Sequence, residues 1–268
     1  MKPLTVFQHN FAAAENLIRL YDLLSGSTIG AGEAEATLKA VRASLNIPEG
    51  EQVFLLYNDR LFLLAREAAH VSDTFFHEHN LASLLRQAVV AACSALDAYF
   101  NDKFRENVMT VLLTKKRYAP KELRNLVMTF DDYLSLESWA DPNQRLQQIL
   151  EKNLERRTLS NSNGITEIAG ILGIKDFWER VGRECGEKPS DLRRRIDEIA
   201  ARRNDIVHRA DRPKGDQEAN GSGLQAISRA WVNLRVQTIK AVVLAAEKVI
   251  DQEMQSLREH AAGAEGSG

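Results

Sequence analysis

The sequence predicts an all-α helical bundle. Three observations carry this expectation. Apolar residues recur every three or four positions over long stretches, strand signals are scarce, and Pro, Asp, Asn and Gly stand where helices would begin and end. The 268 residues are 44% hydrophobic, which is enough to fill a sizeable core.

From the N-terminus, Phe11–Leu24 is periodic and stops at Gly26, a C-cap residue. Residues Gly32–Leu45 form a second helix, closed by Ile47-Pro48. Gln52–Ala65 admits two readings. Asn58-Asp59 can be the turn of a hairpin, but no breaker follows Ala65, and the smoother reading is a helix running to about Phe76. Asn80 is the expected N-cap of a strong helix, Leu81–Phe104, whose apolar spacing makes it central to the core. Shorter helices follow. Pro120 and Pro142 suit first turns, with Asp141 as a cap, and Gly173 separates Gly164–Leu172 from Asp176–Glu184. Pro189 opens another helix, residues 211–223 read as a polar loop, and Leu224–Glu259 forms the last long helix. Trp139, Trp178 and Trp231 are expected to pack the core. The resulting organisation is an N-terminal helical extension (1–79), a helical domain (80–260) and a disordered tail (261–268).

Bulk chemistry narrows the function classes. A net charge of −2 means that any nucleic-acid site must come from local clustering of basic residues. Two cysteines, Cys93 and Cys185, read as reduced thiols rather than as a disulfide framework. The N-terminal segment has a helical period rather than a signal-peptide core, and no stretch approaches 18 uncharged apolar residues; a cytoplasmic location without a membrane partner is expected. His70, His77 and His79 lack the spacing of a metal site, and no metal or other cofactor is expected.

The helix opened by Pro189 carries the chemistry. Its apolar stripe runs Leu192, Ile196, Ile199 and then Ile206, and the missing member of the stripe is Arg203. A guanidinium on an apolar stripe needs a partner. Asn204 and His208 lie one turn apart on one face, near the helix end marked by Asp211, Pro213 and Gly215. Histidine, with an ordinary pKa of roughly 6.5, can take or give a proton at neutral pH. Arginine grips a phosphate through a planar fork and can stabilise the extra charge of a phosphorane. RNA carries its own nucleophile, the 2′-OH, so such chemistry needs no metal. Spacing alone is not decisive, since an Arg and a His five apart occur on many helices that do no chemistry.

Around this segment, Arg195, Arg202, Arg209 and Arg212 form the natural footprint for an RNA backbone, although a solvated helix face is the alternative. Asp97, late on the central helix, is either an auxiliary acid or a solvated carboxylate.

The segment Arg203-Asn204-Asp205-Ile206-Val207-His208 resembles the Arg-Asn-x-x-x-His signature of the HEPN superfamily. The upstream helix VVAACSALDAYFND resembles the first HEPN helix, which often has an acidic residue where Asp97 stands. The order of elements over about residues 80–255 is most similar to the RiboL-PSP type. The resemblance implies a metal-independent endoribonuclease acting on RNA, with His208 as general base or acid, Arg203 on the scissile phosphate and Asn204 orienting His208 or contacting the phosphate. It also implies a homodimer with a composite cleft, 2′,3′-cyclic phosphate and 5′-OH ends, and a toxin or anti-phage effector held in check by an antitoxin or sensor partner. The alternative is an inactive relative that only binds nucleotides or a partner.

Overall fold

The structure, a computed structural model, describes residues 1–154, 157–214 and 223–265. Of the described residues, 72% are helical. Among the described residues, ten α-helices surround one core, and a three-stranded sheet sits at the N-terminal side.

The central element is α3 (Glu78–Lys115), and it is longer at both ends than its sequence core suggests. The apolar period continues past Phe104 through Val108 and Val111, both fully buried, so the helix has no reason to stop. At the other end His77 is the N-cap, and the Asn80 side chain instead donates to the Thr74 carbonyl (2.5 Å). By length and composition, the stretch Glu78–Tyr118 could cross a membrane. Here α3 is wrapped by α1 (Pro3–Leu24), α9 (Pro189–Arg209) and α10 (Arg229–Glu265).

Helix α1 belongs to that core. Phe7, Phe11, Ala14 and Ile18, spaced four, three and four, are buried in the same cluster as Leu85, Leu96 and Val243. Phe7 stacks on Phe11 and meets Tyr99 edge-on. On the far side, Lys103 joins α3 to α10. It is buried and pairs with Glu247 (3.0 Å) and Asp251 (2.9 Å).

The segment after α1 corrects the helical expectation. Following α2 (Glu35–Ser44), strands β2 (Val53–Tyr57) and β3 (Phe62–Arg66) form an antiparallel hairpin, and β1 (Thr28–Ile29) pairs with β2. The cause is Asn58. Its Oδ1 accepts the backbone N–H of both Arg60 and Leu61 (2.8 Å each), and its Nδ2 reaches the Leu23 carbonyl (2.9 Å). An asparagine that satisfies the backbone of its own turn competes with helix hydrogen bonds, and this outweighs the absence of a breaker downstream. Residues 1–79 therefore hold two α-helices, short 3-10 turns and a small sheet rather than helices alone.

Beyond α3 the chain forms α4 (Lys121–Arg124), α5 (Phe130–Ser138), α6 (Pro142–Lys152), α7 (Ser162–Ile171) and α8 (Phe177–Cys185). Pro142 occupies the first turn of α6 and Asp141 caps it through the N–H groups of Asn143 and Gln144, as expected. Trp178 is buried, Trp231 is half-buried, but Trp139 is 44% exposed with the Arg145 guanidinium against its ring, so it is not a core residue. Helix α10 begins at Arg229, five residues later than expected, because Gln225 pairs its backbone with Asp211. It runs on to Glu265 through the expected tail; residues 266–268, Arg156 and most of the 211–223 loop lie outside the described residues.

Helix α7 depends on Gly164. Asn161 caps the helix by accepting the Gly164 N–H (2.7 Å), which presses this residue against the incoming chain. A Cβ at Gly164 would lie 2.2 Å from the Thr158 carbonyl oxygen and 3.0 Å from the Leu159 Cα. Gly164→Ala is expected to destabilise the protein by about 3 kcal/mol, because backbone rather than a side-chain tip must move; urea unfolding would read this as a lower midpoint.

Candidate active site

Helix α9 positions the motif. Pro189 starts it at the first turn, where a missing N–H costs nothing. Leu192, Ile196 and Ile199 are fully buried and fix the rotation of the helix. The next turn on that face is Arg203, which is half-buried. Its Nη1 donates to Asn204 Oδ1 (3.1 Å), and its Nε is buried without a hydrogen-bond partner. The sequence expects a guanidinium on the apolar stripe to need a partner, and the structure leaves its Nε without one.

The Arg203 charge acts on Cys93 of α3. The thiol is buried, donates weakly to the Ile199 carbonyl (3.9 Å), and has its pKa pushed up to about 12 by burial, with the Arg203 charge acting in the opposite sense. Cys93 is therefore a neutral wall of the site, not a nucleophile.

Asn204 and His208 are exposed. His208 makes no hydrogen bond or ion pair with any described residue. It lies about 6 Å beyond Asn204 along the helix axis, at roughly 1.5 Å per residue. Helix α9 ends directly after it, where Ala210 and Asp211 adopt left-handed backbone (φ 51° and 58°). The Asp211 N–H closes the helix onto the Asp205 carbonyl (2.9 Å). Buried Asp205 in turn pairs with Lys214 (2.6 Å).

The basic residues around the motif divide into two groups. Arg209 and Arg212 are exposed. Arg202 is committed internally, to Asp211 Oδ2 (2.9 Å), the Gln225 side chain (2.6 Å) and the carbonyls of Gln225 and Ala226. Arg195 pairs with Glu187 and Thr238. The Nη groups of both are taken up inside the fold, so neither is a solvated surface charge; the Arg202 Nε is buried without a hydrogen-bond partner. Asp97 is half-buried; its Oδ1 accepts the Leu159 N–H (2.7 Å) and anchors the chain entering α7.

One buried charge cluster behind the motif is not foreseen from the sequence. Arg86 on α3 is 6% exposed; its Nε donates to Asp211 Oδ2 (2.6 Å) and its Nη2 to the Gln225 carbonyl (2.9 Å). Arg86 and Arg202 thus clasp one carboxylate behind the motif. The available signal was a lone arginine between Leu85 and Ala88 on the most apolar helix, which demands an acid from elsewhere in the chain. Among the described residues, no three His, Cys, Asp or Glu side chains converge as metal ligands.

This arrangement suits binding of one phosphate by Arg203 and proton transfer by His208. The family model that matches the chain is RiboL-PSP-HEPN, over residues 57–251. No curated protein matches, and no solved structure does. HEPN domains are helical, bind RNA, often act as dimers and are commonly ribonucleases. The match begins inside the hairpin, covers the whole of α3 to α9 and carries the Arg203–His208 motif, so the chain belongs to the RiboL-PSP-HEPN family.

Proposed function

We propose that the protein is a metal-independent endoribonuclease that cuts RNA by attack of a 2′-OH on the adjacent phosphate, and that it serves in the cytoplasm as a toxin or anti-phage effector. The observation that carries this reading is Arg203, a half-buried guanidinium with an unsatisfied Nε, set one residue before exposed Asn204 and five before exposed His208, which has no partner among the described residues.

In this mechanism Arg203 and Asn204 hold the non-bridging oxygens of the scissile phosphate. The Arg203 charge stabilises the phosphorane as negative charge builds on it. His208 takes the 2′-OH proton, or gives a proton to the departing 5′-oxygen. The P–O5′ bond breaks as the P–O2′ bond forms, leaving a 2′,3′-cyclic phosphate and a 5′-OH. Both proton transfers are needed at each cut, and each motif holds a single histidine. A second copy of the chain supplies the other, which makes the active form a homodimer with a composite cleft. Arg209 and Arg212 track the flanking phosphates, whereas Arg195 and Arg202 brace the fold. An antitoxin or sensor partner would act by covering this exposed helix end.

The test is cleavage of a defined RNA by the purified protein. Cyclic-phosphate and 5′-OH ends are expected, undiminished in EDTA, with no cut where the nucleotide 5′ to the scissile phosphate carries a 2′-hydrogen. Cleavage that disappears in EDTA, or that cuts DNA equally, would overturn the mechanism. Binding of nucleotides without any cleavage would favour a non-catalytic module.

A further inference from the structure

We propose that the cavity between the end of α1, the start of α3 and the segment at Leu224 binds a small amphipathic anion, an apolar body ended by a carboxylate or phosphate. The cavity measures about 650 Å³, within the span of roughly 300–1,000 Å³ usual for small-molecule sites. Its walls are Leu20, Leu24, Phe76, Leu81, Leu84 and Leu224, surfaces that favour an aliphatic or aromatic body.

The anionic end is set by Arg86, which is buried and lines the cavity. Its Nε and Nη2 are engaged by Asp211 and Gln225, and its Nη1 has no hydrogen-bond partner among the described residues. Arg86 and Arg202 share a single carboxylate oxygen of Asp211, so the cluster carries one net positive charge in a dry setting. Among the described residues, no Asp or Glu lines the cavity to balance it. An anionic head beside Nη1 would neutralise that charge. A cation would be repelled, and a neutral body would leave the charge as it is.

The site is joined to the motif. Asp211, held by Arg86, also closes α9 after His208, and Leu224 and Gln225 belong to the segment returning from it. The binding proposal stands apart from the nuclease reading, since it is measured without RNA.

Calorimetric titration of the full chain, below micellar concentrations, tests it with decanoate, decyl phosphate, decanol and decyltrimethylammonium. Saturable one-to-one binding of at least one anion is expected, at least tenfold tighter than decanol, with none for the cation. The preferred head group distinguishes carboxylate from phosphate. Ser83→Trp, at an exposed position lining the cavity, is expected to abolish binding with an unchanged melting temperature. Arg86→Met is expected to erase the preference for anions over decanol; should that chain not fold, Ser83→Trp decides. Decanol binding as tightly as the anions, unaltered binding to Ser83→Trp, or no saturable anion binding would overturn the proposal.

Discussion

His208→Ala is expected to lower RNA cleavage by ~10²–10⁴-fold, the range for loss of a positioned proton-transfer group. The fold should not register the change. His208 is exposed and touches no described residue through a hydrogen bond or ion pair, so stability should move by no more than about 0.5 kcal/mol. Arg203→Ala should cost ~10²–10³-fold, comparable to removal of a donor that stabilises transition-state charge. It should not destabilise the chain either, because it removes a buried Nε that has no partner. Arg203→Lys keeps the charge but loses the fork, and is expected to recover only part of the rate. Titrating His208→Ala into wild type separates a composite cleft from two independent ones. If each cut needs a histidine from both chains, activity falls more steeply than the wild-type fraction; a linear fall would sink the shared cleft. Equal cleavage by all the variants would sink the role of the motif itself.

The helical class, the central place of α3 and the face of Arg203 were all legible in sequence, for one reason. Each is set by apolar spacing along a single helix. Leu192, Ile196 and Ile199 fix the rotation of α9, and position 203 follows from them. What was not legible depends on a partner distant in sequence or on backbone satisfied by a side chain. The hairpin hinges on the two N–H groups taken by Asn58, a competition that hydrophobic periodicity does not register. Arg195 and Arg202 look identical to Arg209 in sequence, yet Glu187, Gln225 and the Thr238 hydroxyl absorb the first two. Asp97 found its partner 62 positions away, at the Leu159 backbone.

These internal pairings have a consequence for the site. A helix end that presents an under-satisfied arginine and a histidine with no partner among the described residues is not stabilised by these candidate residues. Its rigidity comes from behind, from Arg202 and Arg86 gripping Asp211 and from Asp205 bound to Lys214. The residues that hold the motif in place are thus distinct from those that act, which explains why the four arginines around the motif, Arg195, Arg202, Arg209 and Arg212, resolve into two exposed candidates and two braces.

Asp211→Ala is expected to destabilise the protein by about 3–5 kcal/mol, the cost of leaving a buried charge without its partner. Asp211 is 1% exposed and its Oδ2 receives both Arg86 (2.6 Å) and Arg202 (2.9 Å). Without it, two guanidinium groups face each other in a dry site. Alanine also fits the left-handed backbone at this position (φ 58°) less well than aspartate. Asp211→Asn keeps an acceptor and the backbone preference but not the charge, and should fall between alanine and wild type. The double variant Arg86→Met/Asp211→Ala distinguishes an electrostatic cause from a loss of packing. Removing the stranded Arg86 charge should restore part of the lost stability, so the double variant unfolds at a higher urea concentration than Asp211→Ala alone. If the two losses simply add, the Arg86–Asp211 contact is not what holds the loop behind His208. Cleavage by Asp211→Ala should fall as well, since α9 loses the residue that closes its last turn, and the fall should shrink at low temperature, where more of the chain stays folded.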